Sequence, residues 1–323
     1  MKQSKQKKVV VLGATGQVGR AVVNALSKQG MAIDLLVRRP ERHRAFNLYH
    51  GVRVRPIESW HDVQALTQAF AQADVVINLL ADLTAGAENI DQADLVASTQ
   101  KIKKAIETAR VAQVLALSQI GADASNARDP WLYQLGEADA ITLTISHAAV
   151  SVVRAGLLLG PDDQVSSRFA AQLKRMPILP VHQPGLVVQP LAVSDFASAL
   201  LQVLAAPKGP PKKWVIAGEH QLTLKDLAQT VADIMEKPNA MILPMCRFNA
   251  RLMAALGELA PVQSVSAFQL KALRSDKVAD QPFSEQFGFV PMSVEQTLAQ
   301  FLANENVRVR YQSYRQEAGR SFD

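Results

Sequence analysis

The chain is poor in several features that would assign a class at once. Its 323 residues include a single cysteine, Cys246, so no internal disulfide can form. Cysteine usage this low fits a reducing compartment, and a cytoplasmic setting is expected. The six histidines, His43, His50, His61, His147, His182 and His220, are scattered without a ligand interval, so no metal site is expected. No run of about 18 apolar residues occurs, which argues against a transmembrane helix. The N-terminus is polar and lysine-rich, with no apolar segment of the secretory type. Repeats and low-complexity runs are lacking too.

Charge of one sign is also missing where it would matter. The net charge is +6, but residues 1–8 contribute +4 and residues 306–323 contribute +2, so the body between them is neutral. No basic stripe for nucleic acid is present in that body, and a nucleic-acid partner is not expected. The basic tails, 1–7 and 304–323, read as solvated ends, with attraction to an acidic membrane surface as the sharper alternative. Apolar residues make up 48% and charged residues 20%, the mix of an ordinary globular chain long enough to bury a sizeable core.

What is present begins at Lys8. Val9, Val10, Val11 and Leu12 read as a buried strand, and Gly13, Gly16 and Gly19 follow at the spacing G-x-x-G-x-x-G. Val18, Val22, Val23 and Leu26 then mark a helix. In such a unit the first glycine permits a tight turn, the second lets the backbone approach a pyrophosphate, and the third lets helix and strand pack closely. The helix's free N–H groups face the phosphates. A second strand, Ala32–Val37, ends in Arg38 and Arg39, with Arg42 and Arg20 nearby. An acid at this tip accepts from the ribose 2′-hydroxyl of NAD, whereas arginines accommodate the 2′-phosphate of NADP. The sequence therefore favours NADP(H) and leaves NAD(H) open.

Further strands are expected at 52–57, 74–80, 114–117 and 151–154, with helices at 62–71 and 91–110 between them. Asn78, Leu79 and Leu80 should border the ligand, which sits at the carboxyl ends of such strands. The alternation predicts an α/β fold: a doubly wound parallel sheet with right-handed crossovers over 8–160 and a smaller C-terminal α/β lobe over 161–303. Residues 131–147 read as a helix, although Ile141–Ile145 alternates like a strand. Segments near 187–193 and 214–217 are expected to return to the main sheet as strands. Ser194 or Asp195 is expected to cap a helix running to Leu204, Asp162 and Asp163 to form a turn and a cap, and Thr223 to begin a helix. The apolar stripe of a helix over 248–259 is expected to face the core or a partner groove.

Gly13-Ala14-Thr15-Gly16-Gln17-Val18-Gly19, Asn78-Leu79-Leu80, Ser118-Gln119-Ile120-Gly121-Ala122-Asp123, Arg154 with Gly160-Pro161-Asp162-Asp163, and Gln189-Pro190-Leu191-Ala192-Val193-Ser194-Asp195 together resemble the atypical, extended-type short-chain dehydrogenase/reductases. The branch most similar contains the NAD(P)H-binding accessory subunit of respiratory complex I and its bacterial relatives. The resemblance covers residues 8–303 and implies a Rossmann domain with the second lobe over the cofactor cleft. It implies that Gly13, Thr15, Gly16, Gln17, Val18 and Gly19 hold the pyrophosphate, that Arg38 and Arg39 hold the 2′-phosphate, that Glu58 lies near the adenine, and that Leu79 and Leu80 line the cleft.

Active members of the family use a tyrosine as acid or base, a lysine four residues later, and a serine at the end of the fifth strand. Ser118 is in place. Trp131 and Leu135 stand at the tyrosine and lysine positions, and no lysine occurs between Lys104 and Lys174. Tyr133 is the nearest phenol, with Glu137 four residues on. The leading expectation is an NADP(H)-binding protein without the Tyr-x-x-x-Lys pair. It would have a structural, assembly or redox-sensing role linked to complex I or quinone metabolism, with a protein partner and, at most, peripheral contact at the inner face of a membrane. The alternative is an NADP(H)-dependent oxidoreductase or isomerase on a small hydrophobic substrate, using Ser118 or Tyr133. A scaffold that keeps the fold without the cofactor is the third.

Overall fold

The computed structural model describes residues 7–84, 94–207, 209–256, 262 and 264–303; both basic tails, Lys7 apart, lie outside the described residues. The chain opens with β1 (Lys8–Leu12), α1 (Gln17–Lys28), β2 (Ala32–Val37), β3 (Val52–Pro56), α2 (Val63–Phe70) and β4 (Val75–Asn78). It continues through α3 (Leu95–Ala109), β5 (Gln113–Gln119), α4 (Pro130–Leu143) and β6 (Ala149–Ala155). Among the described residues these strands form one sheet of seven, ordered β11-β6-β5-β4-β1-β2-β3, with β11 (Lys212–Ile216) on the edge. Every pair in it is parallel. The strand order reverses between β1 and β4, which opens the crevice where ligands sit in sheets of this kind.

Period-two alternation in β1 explains why the sheet is covered on both sides. Val9 and Val11 pack with Val18, Val22 and Leu26 of α1 on one face. Val10 and Leu12 pack with Leu66 and Phe70 of α2, Ile102 and Ile106 of α3 and Leu135 of α4 on the other. The Ile141–Ile145 segment is the end of α4 and a turn, and not a strand. Thr142 donates its hydroxyl to the Ala138 carbonyl at 2.8 Å, and its burial with Ala138 holds the helical period.

The second lobe contains β7 (Leu158–Leu159), α5 (Ser166–Arg175), β8 (Ile178–His182), β9 (Val187–Val188), β10 (Leu191–Ala192), α6 (Val193–Ala205), β12 (Leu222–Thr223), α7 (Leu224–Ile234), β13 (Met241–Met245), α8 (Arg247–Leu256), α9 (Ala267–Ala272) and α10 (Phe283–Phe287), of which α6 returns to cover the main sheet beside α1. The 187–193 stretch does not rejoin the main sheet as expected. Gln189 and Pro190 split it into β9, which pairs with β12, and β10, which pairs with β7. Pro190 has no N–H to continue a ladder. Thr223 and Asp226 form a reciprocal capping box on α7. By contrast, neither Ser194 nor Asp195 caps α6. Ala192 holds that position, and the Asp195 carboxylate accepts from the Met292 backbone N–H at 2.7 Å. The apolar stripe of α8 faces outward and not into the core: Phe248, Leu252 and Leu256 are exposed. No described helix is long and apolar enough to cross a membrane.

The lobes are pinned together at the end of β5. The Lys277 ammonium donates to the Ile120 carbonyl at 2.7 Å, and the Gln119 amide donates to the Ala272 carbonyl at 2.8 Å.

Candidate functional site

The turn between β1 and α1 is built as its glycine spacing requires. Gly13 has φ of 73°, a left-handed conformation suited to glycine. A Cβ on Gly19 would stand 2.4 Å from the Ala14 backbone, so the close approach of helix to strand depends on its absence. Gly16 is the N-cap of α1 and brings no side-chain cap. The helix is capped instead by the segment after β4: Gln17 N–H donates to Thr84 Oγ1 at 2.8 Å, and Val18 N–H donates to Asp82 Oδ2 at 3.1 Å.

That segment is folded to present an anion. Asp82 Oδ1 accepts from the backbone N–H of Thr84 at 2.9 Å and from its hydroxyl at 2.5 Å, a local turn that aims Oδ2 at the helix. Asp82 is buried, and burial pushes its carboxyl above the ordinary carboxylate range; hydrogen bonds from Thr84 and Val18 and the charge of Arg20 pull the other way. A Cβ on Gly16 would lie 2.2 Å from Asp82 Oδ2, so the carboxylate fills the space the glycine leaves open. Gln17 Nε2, which packs against Gly160, and Thr15 Oγ1 are buried with no hydrogen-bond partner.

A cavity of about 60 Å³ continues from this point. Gln17, Val18 and residues 81–84 form one wall, Leu117, Ser118 and Gln119 at the end of β5 form the floor, and Ala155 at the end of β6 with residues 156–158, 163–165 and Phe268 forms the far side. Ligand pockets usually measure about 300–1,000 Å³. The cavity is smaller than that and is open to solvent. On its far side the buried Asp163 carboxylate accepts from the N–H groups of Val165 at 2.8 Å and Ser166 at 2.6 Å, the turn-and-cap role expected of it.

Of the residues expected from the sequence, the structure brings Gln17, Val18 and Ser118 to one cavity. Arg38 is half-buried and Arg39 exposed just past β2; Glu58 is exposed two residues past β3. Leu79 and Leu80 do not line the cavity. They are buried in the cores on opposite faces of the sheet, and residues 81–84 take their place at the cleft. Ser118 and Tyr133 are not brought together, since Tyr133 lies half-buried on α4 and outside the cavity lining. Trp131 and Leu135 are buried in the core under α4.

Two groups were not legible in advance. Asp82, two residues beyond the expected strand end, carries no sequence signal of its partner at Val18. Asp139 on α4 is the other. It accepts from Arg154 Nε at 2.9 Å; burial pushes its carboxyl up, against the pull of the Ser118 hydroxyl and the Arg154 charge. Among the described residues, no group of His, Cys, Asp and Glu could hold a metal ion.

The donor set fits a dinucleotide's pyrophosphate. It has two backbone N–H groups at a helix start, held here by Thr84 and Asp82, a glycine whose missing side chain leaves space that Asp82 fills, and two unpartnered polar side chains.

Residues 13–158 match a family model described as NAD(P)H-binding. The chain is similar to NADH dehydrogenase (ubiquinone) 1 alpha subcomplex subunit 9, mitochondrial, of Arabidopsis thaliana, with 25% identity over 241 residues, 72% of this chain and 60% of that protein. The protein of that name in Dictyostelium discoideum is 21% identical over 244 residues, 73% of this chain and 66% of that protein. The chain thus spans less than two thirds of either relative. Among solved structures, Bordetella bronchiseptica WbmH in complex with NAD+ superposes with a TM-score of 0.68 at 14% identity, over 93% of this chain and 98% of that one. UDP-glucuronic acid 4-epimerase from Bacillus cereus, in complex with UDP-glucuronic acid and NAD, gives 0.67 at 14% identity, over 92% and 99%. At such identities these likenesses establish the fold. Residues 13–158 thus match an NAD(P)H-binding family model on a parallel Rossmann-type sheet like that of the extended short-chain dehydrogenase/reductases, in a chain similar in sequence to NADH dehydrogenase (ubiquinone) 1 alpha subcomplex subunit 9.

Proposed function

We propose that the protein binds NADP(H) across the β1–α1 turn and holds it without turnover, as a structural, assembly or redox-sensing component associated with respiratory complex I or quinone metabolism. The observation that carries this reading is the anion seat at the start of α1: an intramolecular carboxylate already accepts from Val18 N–H over Gly16. Gly13, Thr15, Gly16, Gln17, Val18 and Gly19 would surround the pyrophosphate. Arg38 and Arg39, past the end of β2, would favour the 2′-phosphate of NADP over NAD. Glu58, beyond β3, would lie toward the adenine, and Ser118 would lie at the nicotinamide end.

When bound, the group would supply a hydride. What this chain lacks is the means to move the accompanying proton. Trp131 and Leu135 stand where the family has its tyrosine and lysine, and both are buried in the core. Tyr133, the nearest phenol, lies outside the cavity lining and has Glu137 in place of a lysine four residues on. The relatives carry a respiratory subunit's name, which supports a protein partner. Contact with a membrane would be peripheral, on its inner face.

One observation favours the alternative, an oxidoreductase or isomerase acting on a small hydrophobic substrate: Ser118, whose hydroxyl oxygen is buried, lines the cavity. Incubating the purified chain with NADPH and a panel of quinones and carbonyl compounds separates the two. Recovery of unoxidised NADPH supports the binding role, and turnover that depends on Ser118 establishes the enzyme.

A further inference from the structure

We propose that the segment 81–84 is a built-in competitor for the dinucleotide: the Asp82 carboxylate occupies the seat of the pyrophosphate, and the nucleotide binds by displacing it. This inference rests on the dinucleotide reading above and adds to it a residue that sets affinity.

Three observations carry it. First, the donors are spent. Gln17 N–H is taken by Thr84 Oγ1 and Val18 N–H by Asp82 Oδ2, and these lie in the first turn of α1, where the helix presents its unsatisfied N–H groups. A phosphate oxygen and Asp82 Oδ2 cannot both accept from Val18. Second, the volume is spent. The position a Cβ of Gly16 would take lies 2.2 Å from Asp82 Oδ2 and 2.9 Å from Thr84 Oγ1, so the approach that glycine leaves free is filled by these two side chains. Third, the same segment borders the cleft: residues 81–84 form one wall of the cavity that Gln17, Val18 and Ser118 also line. Displacing them frees the helix start and widens the cleft in one movement.

The exchange is favourable in its chemistry. A carboxylate brings one negative charge to the α1 N-terminus, and a pyrophosphate brings two, spread over more acceptor oxygens. Once displaced, Asp82 regains its hydration. A ligand that binds only the displaced form has its apparent Kd raised by the inverse of that form's population. Asp82 thereby holds affinity below what the glycine turn alone would give.

The test is calorimetric titration of the full chain with NADPH, comparing wild type, Asp82→Ala and Asp82→Asn, with circular dichroism to verify folding. Asp82→Asn keeps the shape of the side chain and a hydrogen-bonding oxygen while removing the charge, so it serves if Asp82→Ala does not fold. NADPH is expected to bind at least about tenfold more tightly to Asp82→Ala, with Asp82→Asn between it and wild type. Inorganic pyrophosphate should follow the same order. Binding by a variant where wild type shows none would also support the proposal. Unchanged or weaker NADPH binding by both variants, with wild type binding, would overturn it and leave the dinucleotide reading intact, with Asp82 a fixed cap. Failure of all three proteins to bind would overturn both.

Discussion

The indole N–H of Trp131 donates to the side-chain oxygen of Gln119 at 3.2 Å, at the end of β5 where the cleft begins. An indole N–H donates but does not exchange a proton near neutral pH, and four residues on, Leu135 is sealed in the core. NADPH incubated with the protein and a quinone or carbonyl panel should therefore decay at the rate seen in buffer. Tyr133→Phe should leave that rate unchanged, and turnover abolished by this substitution would contradict the non-catalytic role.

Arg38 and Arg39 follow β2 at the sheet edge that meets the adenosine ribose in folds of this type. Replacing both with alanine removes charge-assisted hydrogen bonds worth about 1.5–3 kcal/mol to a bound phosphate. NADPH affinity should fall by roughly ten- to a hundredfold while NADH affinity stays nearly constant. Equal losses for the two nucleotides would assign the arginines to a general electrostatic role.

The glycines of the turn should fail differently. Gly19→Ala pushes a methyl group into the Ala14 backbone, which cannot swing aside, and should cost roughly 3 kcal/mol in urea unfolding. The atoms nearest a methyl group on Gly16 belong to the side chains of Asp82 and Thr84. The cost of Gly16→Ala should shrink in an Asp82→Ala background, a coupling that a double-mutant cycle reads directly. NADPH binding should be lost in both backgrounds, since the methyl group fills the cradle.

Lys277 has no exposed surface, and burial holds its ammonium down to a pKa of about 8, against 10.5 ordinarily. Between those values the unfolded chain binds the proton more tightly than the folded one, so stability rises with pH through the window. Below pH 8 both states are charged and the burial penalty is constant. The gain from pH 8 to 10.5 should approach about 3 kcal/mol in wild type relative to Lys277→Met, measured by denaturant unfolding at each pH. Parallel pH curves for the two proteins would show that Lys277 is solvated.

What could be read from the sequence was local. The G-x-x-G-x-x-G spacing and the apolar run of β1 are short-range patterns, and the turn, α1 and the two-faced sheet follow from them. What escaped was long-range or broken by one residue. Asp82 meets Val18 across 64 positions, and Lys277 meets Ile120 across 157, distances over which periodicity says nothing. Leu79 and Leu80 look like the end of a strand at the cleft, but β4 ends at Asn78, both leucines turn into the cores, and the chain reaches the cleft only at Ala81. Val187 to Val193 has the composition of a single strand, and Pro190 divides it between two partners.

The central claim is that this chain seats NADP(H) at the start of α1, and isothermal titration of the purified full chain with NADPH and with NADH tests it most directly. The account predicts one saturable site per chain, tighter for NADPH, and lost in Gly16→Ala. Equal affinity for the two nucleotides would contradict the assignment of the arginines, and binding of neither would contradict the claim itself.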